Sequence, residues 1–411
     1  MHLDESGFLH LTYCTNIHPG EDWVSVDATI REVAPVLKSR ISPDGPFGLG
    51  LRLSALAARE AIETGSVPAF RSYLDSQGLY VAIINGYPYG SFHGAAVKDQ
   101  VFSPDWTNEG RLNYTLDLLE VLGGLLSDGV DGGISTMPLS YKPWGLDTDW
   151  TAIVRNLVRL TESMVRLNRT SGKFIHLDIE PEPDGLIENT DEVIRFFEDR
   201  LLPMGGPILA SALSVTAEQA RELLLDHIRV CFDCCHIAVE YEDPLHALDK
   251  LRNAGIRIGR VQLSSALKVD LPDDTERLIP FADSTYLHQV IENRGNCLYH
   301  FPDLPDALAA PTDSAAKQWR IHFHVPLFTA AYDGFHSTQG DVRTVLAAAL
   351  RDRFTRHLEI ETYTWDVLPQ ALKTGMLDSI TREFEWVIGE VAAMQPRPVA
   401  ETNDTCAKLP S

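Results

Sequence analysis

Short β-branched and aliphatic segments alternate with amphipathic stretches from one end of the chain to the other, and this alternation restricts the fold more than any other feature. FLHLTYCTNI, FGLGLRLS, LYVAIINGY, GGISTMPLS, FIHLDIE, IRVCFDC, IGRVQLSS and HLEIETY read as eight strands. Between them apolar residues recur three and four apart, for example over 109–128 and 148–170, which predicts helices. Residues 366–393 read as a closing helix. Eight β-α units without a break in composition predict one α/β domain, a single (β/α)8 TIM barrel. Right-handed crossovers place every helix outside the strands.

WRIHFHVP is a ninth strand-like segment, lying between strands seven and eight. It predicts a long insertion, about residues 266–356, over the C-terminal mouth of the barrel. Pro-rich and polar pieces such as LPDDTER and LAAPTDSAAKQ fit a lid or flap. The barrel with its insertion is expected to span 1–394, and 395–411 to form a disordered tail.

Composition narrows the function classes. The 411 residues are 44% apolar, enough for a large core, and carry a formal net charge of −23. So acidic a chain lacks the Lys and Arg surplus that neutralises phosphates, so no nucleic-acid partner is expected. A small anionic substrate remains compatible, because a local basic cluster can reverse the field inside one cleft. The opening MHLDESGFLH shows no signal peptide, and no run of about 18 apolar residues exists, so a cytoplasmic protein without membrane insertion is expected. The six cysteines form no spaced framework, and Cys231-x-x-Cys234 lies inside a strand-like run, where core packing is the expected role.

The strands of the second half turn acidic or imidazole-bearing at their C-terminal ends. FIHLDIE closes on Glu180, IRVCFDCCH on Asp233 and His236, and HLEIETY carries Glu361; WRIHFHVP carries His322 and His324. In a parallel barrel these ends converge on one mouth. Carboxylates and imidazoles gathered there are what a divalent metal requires. The bland alternatives are a solvated loop carboxylate for Glu180, an N-cap Asp233 with a surface His236, and a surface-facing strand for the His pair. Gln262, at the end of strand seven, offers a neutral ligand or a hydrogen-bond donor to substrate. Glu359 shares a face with Glu361 but lies deeper, where Arg260 is a candidate partner.

The first half supplies a second group. After strand three, NGYPYGSFHGAAVKDQVFSPDW carries Asn85, His93, Lys98, Asp105 and Trp106. Aromatic rings with one Lys and one His suit a sugar-binding loop, and an Ω-loop packed by its own aromatics explains the same residues. Asn16 and His18 follow strand one and are expected to face the mouth. Asn85, His93, Trp106, Gln262 and His18 are therefore the candidate substrate contacts.

These segments together resemble the xylose isomerase-like TIM-barrel superfamily of sugar isomerases, ketose epimerases and endonuclease IV-type enzymes. The resemblance implies one divalent metal (Mn, Zn, Co, Fe or Mg) held by Glu180, Asp233 and Glu361, with His236 beside the substrate or among the ligands. Where epimerases of that superfamily carry a His after strand seven, this chain has Gln262. His322-Phe-His324 resembles the two-ligand element of the endonuclease IV-like members and can stand in for it. More narrowly, TYCTNIHPGEDW, NGYPYGSFHG, HLDIEPEPDG and HFHVPLF are similar to the EboE-type metabolite traffic family, whose members accompany a cyclitol-synthase-like enzyme, a prenyltransferase and a TatD-like hydrolase in secondary-metabolite gene clusters. The resemblance implies a metal-dependent isomerase or epimerase of a sugar, cyclitol or related polyol. Glu180 and Glu361 would be its acid/base pair, and His236 and Lys98 would orient substrate oxygens. A metal-dependent phosphodiesterase and a non-catalytic metabolite carrier are the alternatives.

Overall fold

A computed structural model describes residues 1–4, 6–90, 98–145, 148–271, 275–282, 285–311, 313–332, 334–362 and 375–394. The expected tail and His93 lie outside these residues, as does the expected start of the closing helix.

Seven parallel strands follow one another before the insertion: β1 (His10–Tyr13), β2 (Phe47–Arg52), β3 (Leu79–Asn85), β4 (Gly132–Thr136), β5 (Ile175–Ile179), β6 (Ile228–Asp233) and β7 (Ile258–Leu263). The insertion adds β8 (Leu267–Asp270), β9 (Val290–Asn293), β10 (Leu298–Phe301), β11 (Gln318–Ile321), β12 (Ala331–Tyr332) and β13 (Phe335–Ser337) before the chain returns as β14 (His357–Ile360). The barrel order is β1-β14-β7-β6-β5-β4-β3-β2. A parallel bridge between Cys14 and Gly50 brings β1 beside β2 and closes the ring. Nearly every barrel-strand residue is buried, as in a parallel sheet covered on both faces.

The insertion forms its own antiparallel sheet, ordered β10-β9-β11-β8-β13-β12. The helix Gln339–Asp352 that follows β13 leads directly into β14 and packs beside the helices Pro244–Asn253 and Met376–Met394. It is the outer helix of the β7–β14 unit, so the chain departs from the barrel pattern between Leu267 and Ser337.

Local sequence explains where the helices begin and end. Asp149 accepts from the Ala152 amide at the start of the helix Trp150–Ser171, and Gly172 ends it in the left-handed conformation at φ 73°. Thr216 and Gln219 form a reciprocal capping box ahead of Ala217–His227. Among the described residues no helix is long and apolar enough to cross a membrane.

The barrel interior is charged below its mouth. Arg260 on β7 donates from Nε to Asp178 on β5 at 3.0 Å and from a terminal nitrogen to Glu359 on β14 at 3.1 Å. All three side chains are fully buried. Two strand glycines make room for them. A Cβ at Gly259 would lie 1.7 Å from Asp178 Oδ1, and one at Gly50 would lie 1.7 Å from Glu359 Oε1. The paired charges form a layer on which the residues of the mouth rest, and the pairing offsets the large desolvation penalty of isolated buried ions.

Candidate metal centre

Glu180 follows β5 immediately, Asp233 ends β6, and Glu361 follows β14, so parallel strands deliver three carboxylates to one end of the barrel. Their oxygens lie within 4.8 Å of one another. Asp233 is also an N-cap: Oδ1 accepts from the His236 amide at 2.9 Å and from Ser264 Oγ at 2.8 Å. Capping turns the short helix Cys234–Val239 so that His236 points back over the mouth. From the insertion, the segment after β11 brings His322 and His324 to the same place. Four overlapping sets result, Glu180–Asp233–Glu361, Asp233–His236–His324, Glu182–His236–His322 and Cys235–His322–His324, each with ligand atoms within 4.8 Å.

The imidazole tautomers follow from the hydrogen bonds. His236 Nδ1 lies 3.0 Å from Pro181 O, and His324 Nδ1 lies 2.8 Å from Glu361 O. A carbonyl oxygen can only accept, so both Nδ1 atoms carry hydrogen. His322 Nδ1 meets Gln289 Oε1 at 2.8 Å. The Gln289 amide nitrogen donates to Pro183 O at 3.0 Å, which fixes the orientation of that amide and makes His322 Nδ1 a donor as well. With Nδ1 so bonded, each ring turns its Nε2 away from that partner. His236 Nε2 and His322 Nε2 face each other at 3.1 Å. Two lone pairs so close repel, and a shared cation relieves the repulsion. Burial lowers His322 well below the ordinary imidazole value, with the neighbouring His236 adding to the effect, and burial brings His324 down to about 4. Both rings are therefore neutral near pH 7 and able to bind metal.

The carboxylates show the complementary shortage. Glu180 Oε2 and Asp233 Oδ2 are buried and accept no hydrogen bond. Burial, then the facing Glu361 and Asp233, pushes the Glu180 carboxyl well above its usual range. Burial and Asp233 do the same to Glu361. Amides from the first half of the chain steady Glu361: Asn16 and Asn85 both donate to Oε1, at 2.9 and 3.2 Å. A buried oxygen without a donor is expensive, and several converging on unprotonated imidazole nitrogens fit a divalent cation with mixed oxygen and nitrogen ligands.

These residues line one cleft at the mouth of the barrel. Of the residues expected here, Glu180, His236, His322, His324, Glu361, Asn16, Asn85 and Lys98 face the cleft. Asp233 is fully buried just behind Glu180 and Glu361. Lys98 Nζ, however, is bound to Tyr286 O at 2.7 Å and Asp303 Oδ2 at 2.5 Å, tying the loop after β3 to the insertion.

Three expected contacts are not brought to the cleft. Trp106 is fully buried and donates from Nε1 to Thr136 Oγ1 at 3.0 Å, so the Ω-loop reading describes it better than a stacking surface. Gln262 lies within β7 rather than beyond it, and its Oε1 accepts from the Cys231 thiol at 3.2 Å. It is paired in register with Asp233 and is not among the described residues that line the cleft. His18 pairs with the Tyr13 hydroxyl at 3.1 Å, behind Asn16. Cys231 and Cys234 are buried and unbridged, consistent with packing.

Glu182 is the main addition. It lines the cleft, joins the set with His236 and His322, and accepts from the Tyr87 hydroxyl. Burial raises its carboxyl to about 7. Its signal was present as the fourth member of the alternating series His176, Asp178, Glu180, Glu182, but the flanking prolines mask it by ending the strand.

No protein-family model matches the sequence, and no curated protein matches it. Among solved structures, the chain is similar to the IolI protein with a bound zinc atom, at 11% identity over 95% of this chain and 100% of that one, TM-score 0.47. It is also similar to a xylose isomerase domain-containing protein from Salmonella typhimurium, at 13% identity over 93% and 97% of the two chains, TM-score 0.42. A third similar structure is D-psicose 3-epimerase with D-fructose, at 11% identity over 94% and 98%, TM-score 0.41. At this identity the likeness is one of architecture.

Proposed function

We propose that this barrel is a metal-dependent isomerase or epimerase acting on a sugar, cyclitol or related polyol. The observation that carries the reading is the convergence of three imidazoles and three carboxylates at the C-terminal mouth, with His236 and His322 facing through their Nε2 atoms at 3.1 Å. Glu180, Asp233, Glu361 and the His236, His322 and His324 rings would hold the cation. When bound, it would polarise a substrate carbonyl and its neighbouring hydroxyl and so acidify the adjacent C–H bond.

The chain's own residues supply the proton transfers. Two buried carboxyls in mutual repulsion lose their protons at separated pH values, so one is ionised while the other keeps its proton. The ionised member of the Glu180–Glu361 pair takes the C–H proton. The protonated member returns one to the carbon, from the other face for epimerisation. Asn16 and Asn85 hold Glu361 in place through its Oε1. Tyr87 with Glu182 offers a second hydroxyl–carboxyl pair at the rim.

The segments similar to the EboE-type family, 12–23, 85–94, 176–185 and 322–328, contribute Asn16, Asn85, Glu180 and His322 to the cleft. We extend the proposal to a role in secondary-metabolite processing or export beside other enzymes of such a cluster.

The test is the metal content of protein purified without chelator, with a thermal shift on adding Mn, Zn, Co, Fe or Mg. We expect at least one bound ion and wash-in of solvent deuterium at the carbon beside a ketose carbonyl. Protein that holds none of these metals and is stabilised by none of them removes the reading. One observation favours a second reading, a metal-dependent phosphodiester hydrolase: the overlapping sets together offer more ligand groups than a single cation takes. Binding of DNA with a steep salt dependence would select it over the isomerase.

A further inference from the structure

We infer that the cleft accepts an uncharged polyol or keto-sugar and turns away its phosphate ester, because the one Lys or Arg among its described lining residues is already held by a carboxylate of the insertion. The inference rests on the proposed isomerase site and narrows its substrate. Recognition of a phosphate dianion calls for an available guanidinium, ammonium or cluster of backbone amides. Among the described lining residues Lys98 is the sole ammonium and there is no guanidinium.

Lys98 is committed on two sides. Its Nζ donates to Tyr286 O at 2.7 Å and to Asp303 Oδ2 at 2.5 Å. Asp303 is itself fixed: Oδ1 accepts from the His288 and Leu304 amides at 3.0 Å each, and it caps the helix Leu304–Ala309. The ion pair is therefore part of the seam between the loop after β3 and the insertion, and its charge is cancelled.

Two fully buried guanidinium groups of the barrel are also occupied. Arg260 lies below the mouth between Asp178 and Glu359. Arg111 is fully buried and donates to the carbonyls of Pro104, Gly86 and Tyr87. The segments outside the described residues between 91 and 374 contain Lys373 as their single Lys or Arg.

Against this stand Glu180, Glu182, Asp233 and Glu361, four carboxyl groups around one cleft. A single divalent ion offsets two charges of that set. That leaves no surplus of positive charge to draw in a phosphate dianion, whereas hydroxyl groups can donate to the carboxylates and accept from Asn16 and Asn85.

The experiment uses the full chain loaded with Mn²⁺. Deuterium wash-in and calorimetric affinity are compared for D-fructose and for its 6-phosphate. The expected result is at least tenfold weaker binding and slower exchange for the ester. An ester that binds or exchanges better than the parent sugar overturns the inference while leaving the isomerase reading in place. Absence of exchange with both sugars removes the isomerase reading, and the affinity ratio still decides the charge preference. Asp303→Asn leaves Lys98 without its counter-charge. The ratio should then move toward the ester by tenfold or more, and an unchanged ratio in a folded variant overturns the assigned role of this ion pair.

Discussion

His236 and His322 present Nε2 atoms to each other across 3.1 Å, although one comes from the end of β6 and the other from the insertion. The pairing is stable only with positive charge near both nitrogens, either a proton or a metal ion. Burial disfavours a proton on the His322 side of that contact.

Gln289 turns His322 toward that site, because its amide is oriented by Pro183 O and its oxygen accepts from His322 Nδ1. Gln289→Ala should weaken metal affinity about 10–100-fold, the usual effect of losing a group that orients a ligand. Titration with a competing chelator measures this, and the metal-free melting temperature should change little by comparison. Unaltered affinity would show that Gln289 does not orient a ligand.

Glu361→Gln should lower deuterium wash-in by about 10²–10⁴-fold, since it removes one member of the acid/base pair. The same change should stabilise the metal-free protein near neutral pH. Glu361 is pushed up by burial and by Asp233, so ionising it opposes folding as pH rises, and a neutral amide escapes that penalty. Chemical denaturation at pH 8 without metal reads the second effect. A variant less stable than the parent there contradicts the electrostatic account.

Arg260→Met should destabilise the barrel by about 3–5 kcal/mol, because Asp178 and Glu359 would remain buried without a counter-ion. The triple replacement of Arg260, Asp178 and Glu359 by apolar residues of similar size should recover much of that loss. Denaturant midpoints of the two variants make the comparison. Equal losses in both would mean that packing, rather than unpaired charge, sets the cost.

Acidification should act through the opposite end of the barrel. His10 is lowered to about 3 and His176 to about 4, both chiefly by burial. Below an unfolded value near 6.5 the unfolded chain takes up these protons while the folded one does not, so this contribution to stability falls as pH drops from about 6.5 toward 4. Carboxyls raised in the fold, such as Glu182 and Glu383 at about 7, oppose it over an overlapping range. The clean readout is therefore a difference between proteins. His10→Gln should gain on the parent by up to about 1.4 kcal/mol for each pH unit below 6. Parallel stability curves for the two proteins would contradict the shift at His10.

Alternation of apolar strands and amphipathic helices determined the barrel by itself, because periods of 2 and 3.6 are local properties and parallel strands need helical crossovers. It also determined that Glu180, Asp233 and Glu361 would meet, since strand ends in a parallel barrel share one side. The departures have local causes. Trp106 found a hydrogen-bond partner in Thr136 inside the fold, and Gln262, level with Asp233 in the strand register, is bonded to the Cys231 thiol. Only the tertiary structure decided which imidazole nitrogens face the cleft, that Glu182 joins them past two prolines, and that Asp303 cancels Lys98. Those outcomes depend on contacts between residues as far as 205 positions apart in the chain, set by how the insertion lies on the barrel, and no local pattern encodes that placement.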